Sequence, residues 1–397
     1  MTAAALLRGP RTVFVVFCVL AASSLLAQEP SGPQAVSPAQ LTAAINKLGD
    51  LDYDTRTAAS RTVRRTSPAQ AVPALLAAVS EHADGYVRYR ALVLLTGFND
   101  PRTKDAMRES ITSPNDRLRT VAYSFFEHNP DKAMLPELLR ALAKEQAEFV
   151  RPALVRALAA HGSDPTVQKT LTAEVGRGED FFRSAVIEAL GDYKAAYAYD
   201  AITAVAKLDG PLQDDAAIAL GKIGDKRALD ILSALQATAP RPRQPSLATG
   251  ICLLDVNCAS HEGYLVDTLK FADQNPGYQE LLRGAANGLG ALAINGRESA
   301  AQALLAIGMP SRDPTRAPVA LALGATALRN TALTLKILEA HSDRGKAIAL
   351  IGEGFDMLEE DLDKERFFAL VRRTYWASKE GSQTRDLMQT LIGSLDF

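Results

Sequence analysis

The sequence predicts an all-α protein built as a stack of about ten helical hairpins, and three observations predict it. A two-helix unit, DDAAIALGKIGDKRALDILSAL from Asp214 to Leu235, recurs in weaker copies about every 32 residues, and a period of that order marks a repeat architecture. The copies share one register. A polar opener stands at Arg56, Arg88, Arg119, Arg151, Arg183 and Gln213, at steps of 32, 31, 32, 32 and 30 residues, and an apolar residue follows seven positions later at Val63, Leu95, Phe126, Leu158, Leu190 and Leu220. Finally, the alternation of apolar and polar residues expected of strands is nearly absent.

The elements follow from the N-terminus. Arg8 and Arg11 precede the apolar run Val13 to Ala27, which ends in small residues, so residues 1–27 are expected to be a cleaved export signal. At about 15 residues the run is short for a spanning helix, which needs about 20; an uncleaved N-terminal membrane anchor is the alternative. Nothing before Cys18 suits lipid attachment, and two adjacent arginines are absent, which points to the general export route. Residues 28–37 form a polar, proline-containing linker.

Residues 38–236 hold the regular repeats. In the clearest unit the first helix carries Ala216, Ala217, Leu220 and Ile223, small and apolar residues that let neighbouring helices approach closely. Gly221 and Gly224 are placed to loosen the end of that helix, and Asp225 to cap the next. The second helix puts Ala228, Ile231, Leu232 and Leu235 on one face. Asp100-Pro101 and Asp164-Pro165 supply a cap followed by a proline in the first turn, where its missing N–H costs nothing. A lone pair of helices cannot cover its apolar stripe; stacking the next pair on it does.

Residues 237–246, with Pro240, Pro242 and Pro245, read as a loop within one continuous superhelix. Residues 247–397 read as looser repeats centred near Leu247, Gly284, Ala317 and Gly345, followed by a C-terminal cap. There Phe367, Phe368, Tyr375 and Trp376 are expected to seal the last repeat with Leu387, Leu391 and Ile392.

The pattern ALGKIGDKRALDIL resembles the HEAT repeat in its short form, associated with phycobilin-lyase-like proteins. The likeness is close from Arg56 to Leu235 and weak beyond Leu247. It implies a right-handed α-α superhelix, a HEAT-like solenoid, with the second helices lining the concave side. It is specific for fold and says little about activity.

The residues offer little for catalysis. His82, His128, His161, His261 and His341 fall in different repeats. His261-Glu262 lacks the second histidine of a zinc-protease fork, since position 265 is Leu265. Gly288-Leu289-Gly290-Ala291-Leu292-Ala293 fits a dinucleotide fingerprint, but helical, alanine-rich sequence precedes it where a strand is required, so it reads as helix packing. The acidic run Glu359 to Asp363 lacks the glycine of a calcium loop and reads as a solvated helix face. No cofactor or metal is expected, and the protein is expected not to be an enzyme. Cys252 and Cys258, six apart, form a possible disulfide if the segment Asp255-Val256-Asn257 breaks the helix between them; two buried thiols are the alternative.

The reading that follows is an exported, non-catalytic scaffold, periplasmic or secreted, that binds a protein or peptide partner on the solenoid surface. Arg102, Arg108, Arg140, Tyr193, Tyr197 and Arg227 are candidate contact residues. The alternative, permitted by the resemblance, is a bilin or tetrapyrrole lyase-like or chromophore-binding protein. Nucleic acid is not expected. The net charge is −2, and residues 1–27 carry two arginines and no acid, so cleavage leaves −2 − 2 = −4, where a polyanion partner calls for a basic stripe. Stable membrane insertion after cleavage is not expected either.

Overall fold

A computed structural model describes residues 36–397; the expected export signal and nearly all of the linker lie outside the described residues. The helices in order are α1 (Pro38–Lys47), α2 (Tyr53–Arg65), α3 (Pro68–Glu81), α4 (Gly85–Thr96), α5 (Arg102–Ser110), α6 (Asp116–His128), α7 (Leu135–Leu142), α8 (Arg151–Ala159), α9 (Pro165–Glu174), α10 (Asp180–Asp192) and α11 (Tyr199–Ala206). They continue as α12 (Gln213–Ile223), α13 (Ala228–Thr238), α14 (Gln244–Leu253), α15 (Cys258–Gln274), α16 (Gln279–Ile294), α17 (Glu298–Gly308), α18 (Arg316–Arg329), α19 (Thr331–Ala340), α20 (Arg344–Met357), α21 (Asp361–Ala377) and α22 (Gln383–Leu395). Among the described residues there is no β-sheet, and no helix is long and apolar enough to cross a membrane.

The helices form two layers of an α-α superhelix. Consecutive even-numbered helices from α2 to α20 pack directly on one another, whereas α5, α7, α9, α11 and α13 hardly touch each other. In a curved two-layer stack the crowded layer is the inside, so the first helix of each repeat lines the concave face. This reverses the arrangement implied by the family resemblance. Glycine makes the crowding possible: a Cβ at Gly221 would lie 2.5 Å from Gly250 O, and one at Gly324 would lie 2.8 Å from Gly354 C.

The register residues are buried as expected, with Val63, Leu95, Phe126, Leu158, Leu190 and Leu220 all at 0% exposure. Gly224 ends α12 at φ 81°, and the side chain of Asp164 caps α9 through Thr166 N and Val167 N. The proline segment is shorter than expected. α13 runs to Thr238, a single 3-10 turn covers Arg241–Arg243, and Pro245 sits in the first turn of α14, so the stack passes through it without a break.

The stack curls until its ends meet. α20 packs against α22, and α21 leaves the stack to reach α4, α6 and α18. Leu362 of α21 joins the apolar core that otherwise spans Val36 to Leu254, while a second core spans Ala248 to Phe397. Of the C-terminal aromatics, Phe367 packs on Phe355, Phe368 stacks on Phe397 at 4.1 Å and Tyr375 is buried, whereas Trp376 stays exposed.

Candidate functional site

The polar opener of each repeat ties two helices together. Arg56 Nη1 donates to Asp50 O at 2.7 Å, Arg88 Nε to Val79 O at 2.8 Å, and Arg183 Nε to Val175 O at 3.0 Å. Gln213 Nε2 donates to Ala206 O at 2.8 Å. Each thus satisfies a carbonyl at the end of the preceding outer helix or in its turn, where a helix leaves acceptors unpaired and cations are favoured. Arg151 departs from the pattern; its guanidinium lies 3.5 Å from the centre of the Phe182 ring. Sequence reading missed two further openers, Arg316 donating to Gly308 O and Arg344 donating to Leu338 O. The signal was available, since seven positions later stand Leu323 and Ile351, both buried.

The inner layer frames a cavity of about 1190 Å³ bordered by α10, α12, α14, α16 and α18 and by the residues that follow α20. Leu321 and Met357 present apolar surface to it, 40% and 42% exposed. One edge of the inner wall is a chain of ion pairs. Arg156 on α8 reaches Glu127 on α6 at 2.9 Å and Asp192 on α10 at 2.9 Å, and Lys222 on α12 reaches Asp192 at 2.6 Å. Burial would raise the Asp192 carboxyl; Lys222 and Arg156 outweigh it and hold it below its usual range.

Toward the start of α12 two carboxylates are held by serine hydroxyls, with Arg243 and Lys222 acting on them only from a distance. Asp214 accepts from Ser246 Oγ at 2.7 Å and Asp215 from Ser184 Oγ at 2.7 Å. Burial pushes both carboxyls above their usual range, against the serine hydrogen bonds, and neighbouring Glu188 raises Asp215 further. The wall therefore combines apolar surface with charged groups of both signs, Arg243 and Arg283 among them. Among the described residues no three His, Cys, Asp or Glu side chains gather as a metal-binding group.

The seam where the ends meet is built differently. Arg64 on α2 forks onto Glu365 on α21, Nε to Oε2 at 2.9 Å and Nη2 to Oε2 at 2.7 Å, with side chains 7% and 3% exposed. A Cβ at Gly97 would lie 2.6 Å from Glu365 Oε1. Arg90 pairs with Asp361 at 2.8 Å, Tyr89 donates its hydroxyl to the same carboxylate, and His128 lies 2.7 Å from Asp363. Burial would raise the Asp361 carboxyl; Arg90, Lys364 and the Tyr89 hydroxyl outweigh it and hold it at about 2. The expectation of a solvated acidic face over Glu359 to Asp363 is thereby corrected. Glu360 pairs with Arg329, and Asp361 and Asp363 face the N-terminal repeats.

The candidate contact residues lie elsewhere. Arg102 on α5 pairs with Asp100, Arg108 with Asp105 and Asp131, and Arg140 on α7 is 67% exposed, all on the outer layer. Arg227, at the start of α13, lies over the Tyr199 ring. Tyr193 caps α10 and donates to Glu127 Oε1 at 3.1 Å, and Tyr197 sits in the 3-10 turn that follows. None of the six borders the larger cavity. Cys252 and Cys258 are paired as a disulfide with Cα atoms 4.1 Å apart, across a helix break in which Asp255 and Asn257 take φ of 59° and 45°.

The sequence model of a family described as HEAT repeats matches residues 41–127. No curated protein matches the chain. Among solved structures, the complex of CpcE and CpcF of phycocyanin lyase from Nostoc sp. PCC7120 is similar at 18% identity, covering 83% of this chain and 97% of that one, with a TM-score of 0.26. Importin beta is similar at 16% identity, with 89% of this chain covering 55% of that one and a TM-score of 0.35. Kap121p bound to Pho4p is similar at 13% identity, with 90% of this chain covering 50% of that one and a TM-score of 0.31. The chain thus spans about half the length of importin beta and of Kap121p. Residues 41–127 thus match a HEAT-repeat model, within an all-α superhelix that the chain's own helix pairs define.

Proposed function

We propose that the protein is a non-catalytic binding protein that takes a peptide segment of a protein partner into the inner concavity. The cavity carries this reading. At about 1190 Å³ it exceeds the roughly 300–1,000 Å³ of small-molecule pockets, and its wall offers both apolar and charged contacts. Asp214 and Asp215 favour a segment bearing lysine or arginine, because a cation relieves their desolvation and the repulsion that Glu188 and Asp214 exert on Asp215. Export is part of the reading, supported by Arg8, Arg11 and the apolar run Val13 to Ala27.

Fluorescence anisotropy with labelled octapeptides tests it. Peptides combining lysine or arginine with leucine are expected to bind saturably and to weaken by about tenfold in Asp214→Asn/Asp215→Asn, one charge contact being worth about 1–2 kcal/mol in a partly buried site. Failure of every basic and acidic peptide to saturate, or binding that ignores the double substitution, removes the proposal.

A further inference from the structure

We propose that α21 is a strap that opens and closes the ring, so that the seam between the chain's two ends sets the access to the inner cavity. The seam differs in kind from the interfaces within the stack. There, consecutive helices are joined by two continuous apolar cores. At the seam, among the described residues, Leu362 is the one residue of α21 in the N-terminal core, and the other side-chain contacts are mainly polar: Arg64 with Glu365, Arg90 with Asp361, His128 with Asp363, Arg61 with Asp396, and Arg372 Nη1 donating to Arg64 O at 2.7 Å, with Arg64 also lying over the Phe368 ring. Charge pairs taken out of water come close to balance, because desolvation offsets their attraction. Polar interfaces within one chain permit relative motion where apolar ones do not.

Two further observations agree. The seam is loosely packed: a cavity of about 410 Å³ lies within it. Ser60 on its wall is 2% exposed, yet its hydroxyl has no hydrogen-bond partner among the described residues, whereas close-packed interiors seldom leave such a group unpaired. The strap is also joined to the larger cavity. Met357, Leu358 and Glu360, which lead into α21, form part of that cavity's wall, and Arg329 holds Glu360 at 2.7 Å. A displaced α21 must therefore widen it.

Small-angle X-ray scattering tests the strap, with far-UV circular dichroism recorded on the same samples. Glu365→Gln and Asp361→Asn/Glu365→Gln are expected to keep their helical content while the radius of gyration rises by roughly a tenth, as a closed ring relaxes to an arc. The wild-type protein is measured from about 0.05 M to about 1 M NaCl, which screens the less buried pairs at the seam's edge; it is expected to expand in the same direction. Scattering that is unchanged in folded variants and across the salt series overturns the proposal. So does expansion that appears only together with loss of helix. Should neither variant fold, the wild-type salt series decides alone, expansion supporting the strap and constancy refuting it. The readout needs no ligand, so a ring that stays shut while basic peptides bind removes the strap and leaves the binding role, and the converse result does the opposite.

Discussion

Adding one methyl group at Gly250 is expected to destabilise the protein, although alanine is the better helix former. A Cβ there would lie 2.5 Å from Ala217 O and 3.1 Å from Leu232 Cδ1. The first obstacle is backbone, held in α12 between two packed neighbours, so relief requires α12 and α14 to separate. Alanine in place of glycine gains about 1 kcal/mol in an unhindered helix. Forcing an extra methyl into a filled contact costs about 1–3 kcal/mol, and each ~40 Å² of apolar surface uncovered as the layer parts costs about 1 kcal/mol more. The net expectation for Gly250→Ala is a loss of about 1–2 kcal/mol. Gly393 in α22 provides the internal control, since a Cβ added there would meet nothing within 4 Å; Gly393→Ala is expected to gain about 0.5–1 kcal/mol. Urea unfolding followed by circular dichroism compares both variants with the wild type. If Gly250→Ala matches or exceeds the wild type, or if both substitutions move the midpoint the same way, the inner layer is not in backbone contact and the assignment of the concave face fails.

Two other outcomes are expected. Asp361 titrates at about 2 in the folded chain against 3.8 for the free group, a depressed value, so its contribution of about 2 kcal/mol is complete above roughly pH 4 and disappears as the pH falls through about 2. Asp361→Asn should therefore lower the urea midpoint at pH 7 and converge with the wild type near pH 2, and a deficit of constant size at every pH would contradict this. Arg344 donates to Leu338 O at 3.1 Å and to Glu339 O at 2.5 Å, so Arg344→Ala should cost about 1–2 kcal/mol. Arg140→Ala, on an exposed side chain 4.0 Å from its partner, should cost under about 0.5 kcal/mol; equal shifts in thermal midpoint would discount the role of the openers.

The repeat is legible in the sequence because its signals are local. Arg56 through Gln213, and the buried residue seven positions after each, recur at a spacing that any stacked helix pair must respect. The break that lets Cys252 meet Cys258 is likewise visible in Asp255-Val256-Asn257. Which layer faces inward is not, since both helices of a repeat are amphipathic and periodicity does not say which side is concave. The usable cue is composition: Gly221, Gly250, Gly324 and Gly354 all fall in first helices, and close approach happens on the inside of a bend. Arg102, Arg108, Arg140 and Arg227 belong to second helices, and so they fall on the outer layer, away from the cavity. The meeting of the ends leaves no local trace. Arg64 and Glu365 stand 301 positions apart, and Asp361 and Asp363 read alone are indistinguishable from a hydrated surface.

An open array of stacked hairpins has two unsatisfied end faces, and a copy of the same molecule is the surface that fits them best. Head-to-tail contacts of that kind do not close and so propagate into fibres. With Leu362 seated in the N-terminal core and Glu365 gripped by Arg64, part of the N-terminal repeats is covered by the C-terminal helices within a single chain. An intramolecular contact of this kind narrows the face that a second copy could engage and so disfavours head-to-tail growth.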